Sequence, residues 1–243
     1  MKVFAYGFAA ISFLALTACS NTKHQASSDF RPPEGDYKMI VMRPEVSVSL
    51  LTAGGGLELR EDWSEKARQN LLSALQDAQR TRGGQARIAT TLRDADAEPE
   101  QVAQLNRLHQ AVGLSIRLHK YTAGQELPTK KYVFDWTLGQ LAVDYGEKSG
   151  YDYAMFLYAS DSFSSGGRVA LQAVSMLGCA VGVCYLPPGG MQVAFASLVD
   201  LKSGRVVWYN FLRKGTGDIR TRDGAADMVD ELLSDMKPPK SSV

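Results

Sequence analysis

The stretch MQVAFASLVDLKSGRVVWYNFL, residues 191–212, decides the fold class of this chain. Two runs rich in β-branched and aromatic residues, Met191–Leu201 and Arg205–Leu212, flank the polar tripeptide at residues 202–204. The last of these three residues is a glycine, which can adopt the positive φ that a tight hairpin turn requires. The stretch therefore predicts two antiparallel strands joined by a short turn.

Other strand signals lie upstream of this hairpin. Tyr151–Ala159 (YDYAMFLYA) is almost continuously apolar, which is typical of a central strand that is covered on both faces. Shorter apolar or alternating runs predict further strands at Met39–Met42, Val46–Leu50 and Arg87–Leu92.

Helical patterns separate these strands. Apolar residues at helical spacing predict helices from Trp63 to Gly83, from Pro99 to about Tyr121, from Trp136 to Lys148, and between Asp223 and Pro238. An aspartate precedes three of these helices, and we expect the side chains of Asp62, Asp135 and Asp223 to cap them.

The alternation of strands and helices predicts an α/β fold. The length suits a single domain, with a mixed sheet and helices packed on its faces. We expect this domain to span residues 36–238 and to be followed by a loose tail at residues 239–243.

One long stretch, Arg168–Leu186, contains no charged residue after its first. Its apolar residues fit a wide helical stripe, although two short strands that turn at Gly178 also fit, and we favour the helix. A helix that is apolar on all sides is buried in a core or contacts a membrane or a partner. We expect a core helix here. The alternative is a partner surface formed by Met176, Leu177, Val181 and Val183.

Cys179 and Cys184 lie within this stretch. Residues five apart on a continuous helix point about 140° away from each other, so a disulfide between them requires a turn. The alternative is two buried free thiols that pack as small apolar side chains. The sequence does not decide between these two states.

The N-terminal segment has the layout of a bacterial lipoprotein signal. Lys2 precedes an uncharged, largely apolar run, Val3–Leu16, and the tetrapeptide LTAC at residues 16–19 fits the pattern that is cleaved before a cysteine. We expect residues 1–18 to be removed and Cys19 to carry acyl chains such as palmitate. A plain secretory signal with an incidental cysteine is the alternative.

Lipidation would determine where the domain resides. Two or more acyl chains anchor a protein stably to a bilayer, whereas one chain binds only marginally. By analogy with enterobacterial sorting, Ser20 after the lipidated cysteine favours the outer membrane, with the protein facing the periplasm. An inner-membrane location is the alternative. The polar, proline-containing residues 19–35 predict a flexible tether between the lipid and the domain.

The composition argues against several classes of function. The chain has 27 basic and 26 acidic side chains, and removal of Lys2 with the signal would balance them. A balanced charge produces no long-range field for nucleic acid. The sequence contains no recognisable catalytic, cofactor or metal motif, so we expect no catalytic residue, cofactor or bound metal.

Asp161 is the single candidate for a ligand pocket. It follows the strongest predicted strand, at an edge where open α/β sheets often bind ligands. The preferred interpretation is a turn residue that hydrogen-bonds to the backbone of Phe163 or Ser164.

The segment Ala194–Trp208 (AFASLVDLKSGRVVW), with Tyr151-Asp-Tyr-Ala upstream, resembles a group of envelope lipoproteins of unknown activity. Their fold is similar to the N-terminal domain of TolB and to the periplasmic part of the curli secretion channel. The resemblance covers about Tyr37–Met236 and implies a mixed sheet with helices on its faces, self-assembly and an accessory role in an envelope machine. It brings no catalytic residues and does not account for residues 167–185.

These observations lead to two hypotheses of function. The first is a non-enzymatic envelope lipoprotein that is a scaffold or accessory component of an assembly or transport machine. Its expected partners are the membrane, through the lipid, and other copies of the chain or other envelope proteins. The second is a periplasmic small-ligand binder or hydrolase with a pocket near Asp161.

Replacement of Cys19 by alanine should abolish incorporation of a clickable palmitate analogue in growing bacteria, since the thiol of this residue is the predicted attachment atom. The double replacement Cys179→Ala and Cys184→Ala is the matched control and should retain the label. Gel detection of the labelled protein measures both variants. Label that persists in the Cys19→Ala protein would contradict the predicted lipid attachment.

Overall fold

The computed structural model describes residues 21–26, 37–82, 87–89, 95–180, 182 and 184–236. The predicted signal peptide, Cys19 and the predicted tail at 239–243 lie outside the described residues. Within them the chain forms a single domain of the predicted α/β class, with one mixed sheet between two layers of helices.

Eight strands build the sheet in the described part of the chain. They are β1 (Asn21–Ala26), β2 (Met39–Val41), β3 (Glu45–Leu51), β4 (Leu57–Leu59), β5 (Arg87–Ile88), β6 (Tyr153–Ser164), β7 (Gln192–Asp200) and β8 (Arg205–Lys214). Their order is β1-β8-β7-β6-β2-β5, and β3 pairs with the second half of β6 and with β4. β6 is parallel to β2 and β3 and antiparallel to β7.

The described helices lie on both faces of the sheet and at one end of it. They are α1 (Glu61–Arg82), α2 (Pro99–Tyr121), α3 (Gly139–Ser149), α4 (Gly166–Ala180) and α5 (Arg222–Leu233), together with a short 3₁₀ turn at Pro128–Lys130. α1 and α5 cover one face, and α2 and α3 cover the other. α4 contributes no residue to either core and begins just after β6 ends.

The side chains of β6 enter two separate cores. Met155 and Leu157 pack in the core under α1 and α5, whereas Ala154 and Phe156 pack in the core under α2 and α3. This alternation follows from the two-residue period of a strand. The prediction that Tyr151–Ala159 contains a central strand covered on both faces is therefore confirmed.

The predicted hairpin near the C-terminus is also confirmed. β7 and β8 pair in antiparallel register, and Gly204 in the turn between them has a φ of 68°. α2 begins at Pro99 and ends at Tyr121, as predicted, because proline favours the first turn of a helix. The strand predicted at Arg87–Leu92 is observed over Arg87–Ile88 and ends before Ala89, and residues 90–92 lie outside the described part of the chain.

Two of the predicted aspartate caps lie inside the first turn of a helix. α1 begins at Glu61, so Asp62 is its second residue. α5 is capped by Thr221, whose hydroxyl accepts a hydrogen bond from the amide of Gly224, and Asp223 lies within the helix. The two predictions of a cap are wrong, although acidic side chains in the first turn still favour a helix because they face its positive end.

The third predicted cap, Asp135, forms an ion pair with Lys130 instead. The chain after it stays extended because Thr137 forms a β-bridge with Arg205, the first residue of β8. α3 consequently begins only at Gly139, later than predicted.

Part of the predicted tether is a strand. Asn21–Ala26 pairs with β8 in antiparallel register, which provides hydrogen-bond partners for an otherwise open edge of the sheet. The structure therefore differs from the predicted tether at these residues. The other residues of the range 19–35 lie outside the described part of the chain.

Gly113 allows α2 to approach the sheet closely, because a Cβ atom at this position would lie 2.1 Å from the ring of Phe195. We expect Gly113→Ala to lower the free energy of unfolding by about 1–3 kcal/mol, the range of overpacked cores. Gly166→Ala is the matched control, since a Cβ atom there meets nothing within 4 Å. Urea denaturation measures both variants, and equal effects would contradict the close contact.

Candidate functional site

The apolar stretch that begins at Arg168 forms a protrusion at one end of the sheet. α4 follows the end of β6, and the chain returns through residues 184–190 to the start of β7. We call α4 together with residues 184–190 the apolar protrusion. The helix predicted within residues 168–186 is thus confirmed over 168–180, and its position relative to the core decides what it can do.

Arg168 holds the base of the apolar protrusion. This residue is 7% exposed, and its guanidinium donates hydrogen bonds to the carbonyl of Pro188 at 2.9 and 3.1 Å and to that of Ala53 at 3.2 Å. One turn further along α4, the amide of Gln172 donates to the carbonyl of Pro187 at 3.0 Å. Sequence reasoning missed this role, although Arg168 is the one charged residue of the stretch and could have been singled out.

The large apolar side chains of the protrusion face solvent. They are between 41% and 72% exposed, namely Val169, Leu171, Val174, Met176, Leu177, Tyr185 and Leu186. The prediction of a core helix is therefore wrong, because an apolar pattern does not specify what covers it. Met176 and Leu177, from the alternative partner surface, are both exposed, whereas Val181 and Val183 lie outside the described residues.

A disulfide closes the tip of the protrusion. α4 ends at Ala180, and the sulfur atoms of Cys179 and Cys184 are bonded to each other. Gly182, with a φ of 90°, lies in the turn that this bond requires. The structure thus has a disulfide here rather than two buried free thiols.

The neighbouring hairpin of β3 and β4 adds apolar side chains at the same end of the molecule. β3 runs parallel to β6, with Leu51 in register with Ser164, so the turn after β3 lies near the start of α4. Leu57 and Leu59 of β4 are 65% and 56% exposed. Sequence reasoning missed these two leucines because their segment is too short to give a clear pattern.

Asp161 lies inside β6 rather than beyond its end, because the strand continues to Ser164. It is buried, and the side-chain amide of Gln192 donates a hydrogen bond to its carboxylate at 2.8 Å. The backbone of Ser162 and of Ile219 also hydrogen-bonds to this carboxylate. The interpretation of Asp161 as a turn residue is therefore wrong.

A cavity of about 150 Å³ lies beside Asp161. Its lining includes Ser162, Gly190, Gln192 and Gly217. Burial raises the pKa of Asp161 to about 6, because the charged carboxylate is poorly solvated there. The space is large enough for a few water molecules or a very small ligand.

The two histidines of the main domain pack against neighbours away from this cavity. His109 stacks on Phe156 with ring centroids 4.8 Å apart, and its Nε2 lies 2.9 Å from the hydroxyl oxygen of Ser197. Burial lowers the pKa of His109 to about 3, so the ring stays neutral at physiological pH. His119 Nδ1 lies 2.6 Å from the carbonyl oxygen of Gln125.

Two further findings concern the described residues as a whole. They contain no group of three or more His, Cys, Asp or Glu side chains that could hold a metal ion. None of the helices among them has the length and the apolar content needed to cross a membrane.

The fold and the site define a single-domain mixed α/β protein with an exposed apolar protrusion. No protein-family model matches its sequence, and no curated protein sequence matches it. It is similar to the PelC dodecamer from Paraburkholderia phytofirmans, with 12% identity, a TM-score of 0.40, and 91% of this chain and 100% of that chain covered.

It is also similar to the LpoB C-terminal domain from Salmonella enterica, with 15% identity, a TM-score of 0.27, and 74% of this chain and 84% of that chain covered. Because both TM-scores lie below 0.5, neither similarity assigns an activity, a partner or an assembly state to this chain.

The raised pKa of Asp161 predicts that stability depends on pH. The pKa is about 6 in the folded chain and 3.8 ordinarily, so the folded state binds more protons between these values. The contribution of Asp161 to the free energy of unfolding is fully present below about pH 4 and is lost as the pH rises through 6. The total loss is about 3 kcal/mol. Asp161→Asn, which has no proton to lose, should therefore gain stability over the wild type as the pH rises.

Urea denaturation between about pH 4 and pH 7 measures this difference in the free energy of unfolding. Asp152→Asn is the control, because hydrogen bonds from the backbone amide of Lys38 and the side chain of Lys202 lower the pKa of Asp152 below 3.8, and Asp152 does not contribute to the shift of Asp161. The stability from Asp152 changes below about pH 4, so the difference between this variant and the wild type should stay nearly constant over this range. A constant difference between Asp161→Asn and the wild type would contradict the raised pKa.

Proposed function

We propose that this chain is a non-enzymatic lipoprotein of the bacterial envelope. In this proposal it is a membrane-attached scaffold or accessory component of an envelope assembly or transport machine. Acyl chains on Cys19 attach it to the outer membrane, on the periplasmic side, and the apolar protrusion is its contact surface. The tetrapeptide LTAC at residues 16–19 supports the location, and the exposure of α4 supports the contact surface.

The observation that carries the proposal is the exposure of a helix with no charged residue after Arg168. Single exposed apolar residues are normal on a protein surface, whereas a contiguous apolar patch marks a contact with a protein, a membrane or a ligand. Val174, Met176 and Leu177 lie within one turn of α4, and each is more than 60% exposed. An apolar surface of this kind needs a partner to cover it.

The connection between β6 and β7 supports a role of the protrusion in contact rather than in folding. Antiparallel neighbours of this kind can be joined by a turn of about two to five residues. Here residues 165–191 form the connection. Because the pairing of β6 with β7 does not require so long a segment, a function outside the fold is the better explanation for it.

A second candidate function is the binding of a very small polar ligand beside Asp161. The observation that favours it is the Oε1 atom of Gln192, which is buried and has no hydrogen-bond partner among the described residues. A ligand that donates a hydrogen bond would satisfy this atom. A hydrolase is the weaker form of this hypothesis, because neither His109 nor His119 lines the cavity.

The apolar protrusion should be covered when the protein resides in its native envelope. We expect a water-soluble carbene reagent, applied to isolated envelopes, to label residues 169–186 several-fold less than the peptide with Tyr132 and Val133. These two residues are 88% and 51% exposed outside the protrusion and serve as the internal control. Mass spectrometry of the digest measures both peptides, and equal labelling would contradict the proposal that the protrusion is a contact surface.

A further inference from the structure

The apolar protrusion and the predicted lipid anchor leave the domain at the same end of the sheet. Asn21, the first residue of β1, is in register with Arg213 of β8, which is in register with Val193 of β7. Val193 in turn pairs with Ser160 of β6, shortly before α4 begins. Cys19 lies two residues before Asn21 in the sequence.

The two features are also close to each other along the edge of the sheet. Adjacent strands lie about 4.8 Å apart, so the path from β1 through β8 and β7 to β6 places β1 about 14 Å from β6. The chain from Cys19 to Asn21 spans at most about 7 Å. The acyl chains on Cys19 and the apolar protrusion would therefore meet the same patch of membrane.

The apolar side chains of α4 point outward over most of its circumference. At about 100° per residue, the exposed side chains cover an arc of about 220°. They are Val169, Leu171, Val174, Met176 and Leu177. A helix that packs on one side against a protein core needs an apolar stripe of only about 100°. The wider arc of α4 suits surroundings that are apolar on several sides.

Two polar side chains of α4, Arg168 and Gln172, lie in the remaining arc and donate hydrogen bonds to backbone carbonyls. Arg168 and Gln172 donate to the carbonyls of Pro188 and Pro187, and these two prolines have no amide hydrogen of their own. Hydrocarbon tolerates a segment only when its polar groups are satisfied internally. The side chains of Arg168 and Gln172 therefore point inward, whereas the apolar side chains of α4 point outward, as lipid surroundings favour.

We infer that the apolar protrusion inserts into the hydrocarbon region of the leaflet that holds the acyl chains of Cys19. This inference rests on the proposed function and names lipid as the partner of its contact surface. α4, with 15 residues, is about 22 Å long, which is enough to reach across one leaflet but not across a hydrocarbon core of about 30 Å. Acyl chains can surround such a helix, whereas a protein partner covers one side.

The mature protein, purified from bacterial membranes and reconstituted into vesicles of phosphatidylethanolamine and phosphatidylglycerol, tests this inference. A small fraction of the phospholipid carries a diazirine near the end of an acyl chain, and light converts it into a carbene that reacts with its neighbours. We expect roughly tenfold more acyl adducts on residues 169–186 than on Tyr132 and Val133, because only the former lie in hydrocarbon. Mass spectrometry of the digest measures both.

The double variant Val174→Lys and Leu177→Lys should lose most adducts on the protrusion, because charged side chains are excluded from hydrocarbon. It should stay bound to the vesicles through Cys19. The matched control, Tyr132→Lys with Val133→Lys, should keep the adducts on the protrusion. Since all four side chains are exposed, both variants should keep the circular dichroism spectrum of the wild type.

Adducts on the protrusion that are no more frequent than those on Tyr132 and Val133 would overturn the inference. The peptide that begins at Cys19 then separates two kinds of failure. If this peptide carries acyl chains, the proposal of an envelope lipoprotein is upheld and the partner of α4 is a protein. If it carries none, the proposed function fails as well.

Discussion

Strand β6 has hydrogen-bonded neighbours on both edges and a packed core on both faces. A strand in this position requires apolar side chains that point both ways and helices on both sides of the sheet. α1 and α5 meet the requirement on one face, and α2 and α3 meet it on the other. On one edge Pro44 separates β2 from β3, and each pairs with its own half of β6.

At the end of β6 that leads into α4, polar contacts replace apolar packing. The carboxylate of Asp161 accepts a hydrogen bond from Gln192 at the start of β7, and the amide of Met191 donates to the hydroxyl of Ser162 at 3.0 Å. Arg168 joins the first turn of α4 to the returning chain. The protrusion is therefore fixed to the sheet, although its outer surface is exposed and packs against no core among the described residues.

The apolar patterns in the sequence correctly predicted those strands and turns that are held in place by burial in the protein's own core. The hairpin around Gly204 and the central strand at Tyr151–Ala159 belong to this group. The same patterns could not place α4, because the sequence of an apolar helix looks the same whether its own core, another protein or lipid covers it. Asp161 was misplaced because polar residues usually mark the end of a strand, whereas pairing with β3 and β7 extends β6 through it.

A helix as short as α4 is marginal in water on its own. Here the bonds of Arg168 and Gln172 fix its base, and the disulfide between Cys179 and Cys184 closes its tip. The protrusion is thus ordered within the chain itself, so covering it requires little further ordering. Such a disulfide persists in an oxidising compartment and not in the cytosol. The disulfide at the tip of the protrusion therefore requires an oxidising compartment. The periplasm, which the N-terminal segment predicts as the location of the chain, is such a compartment.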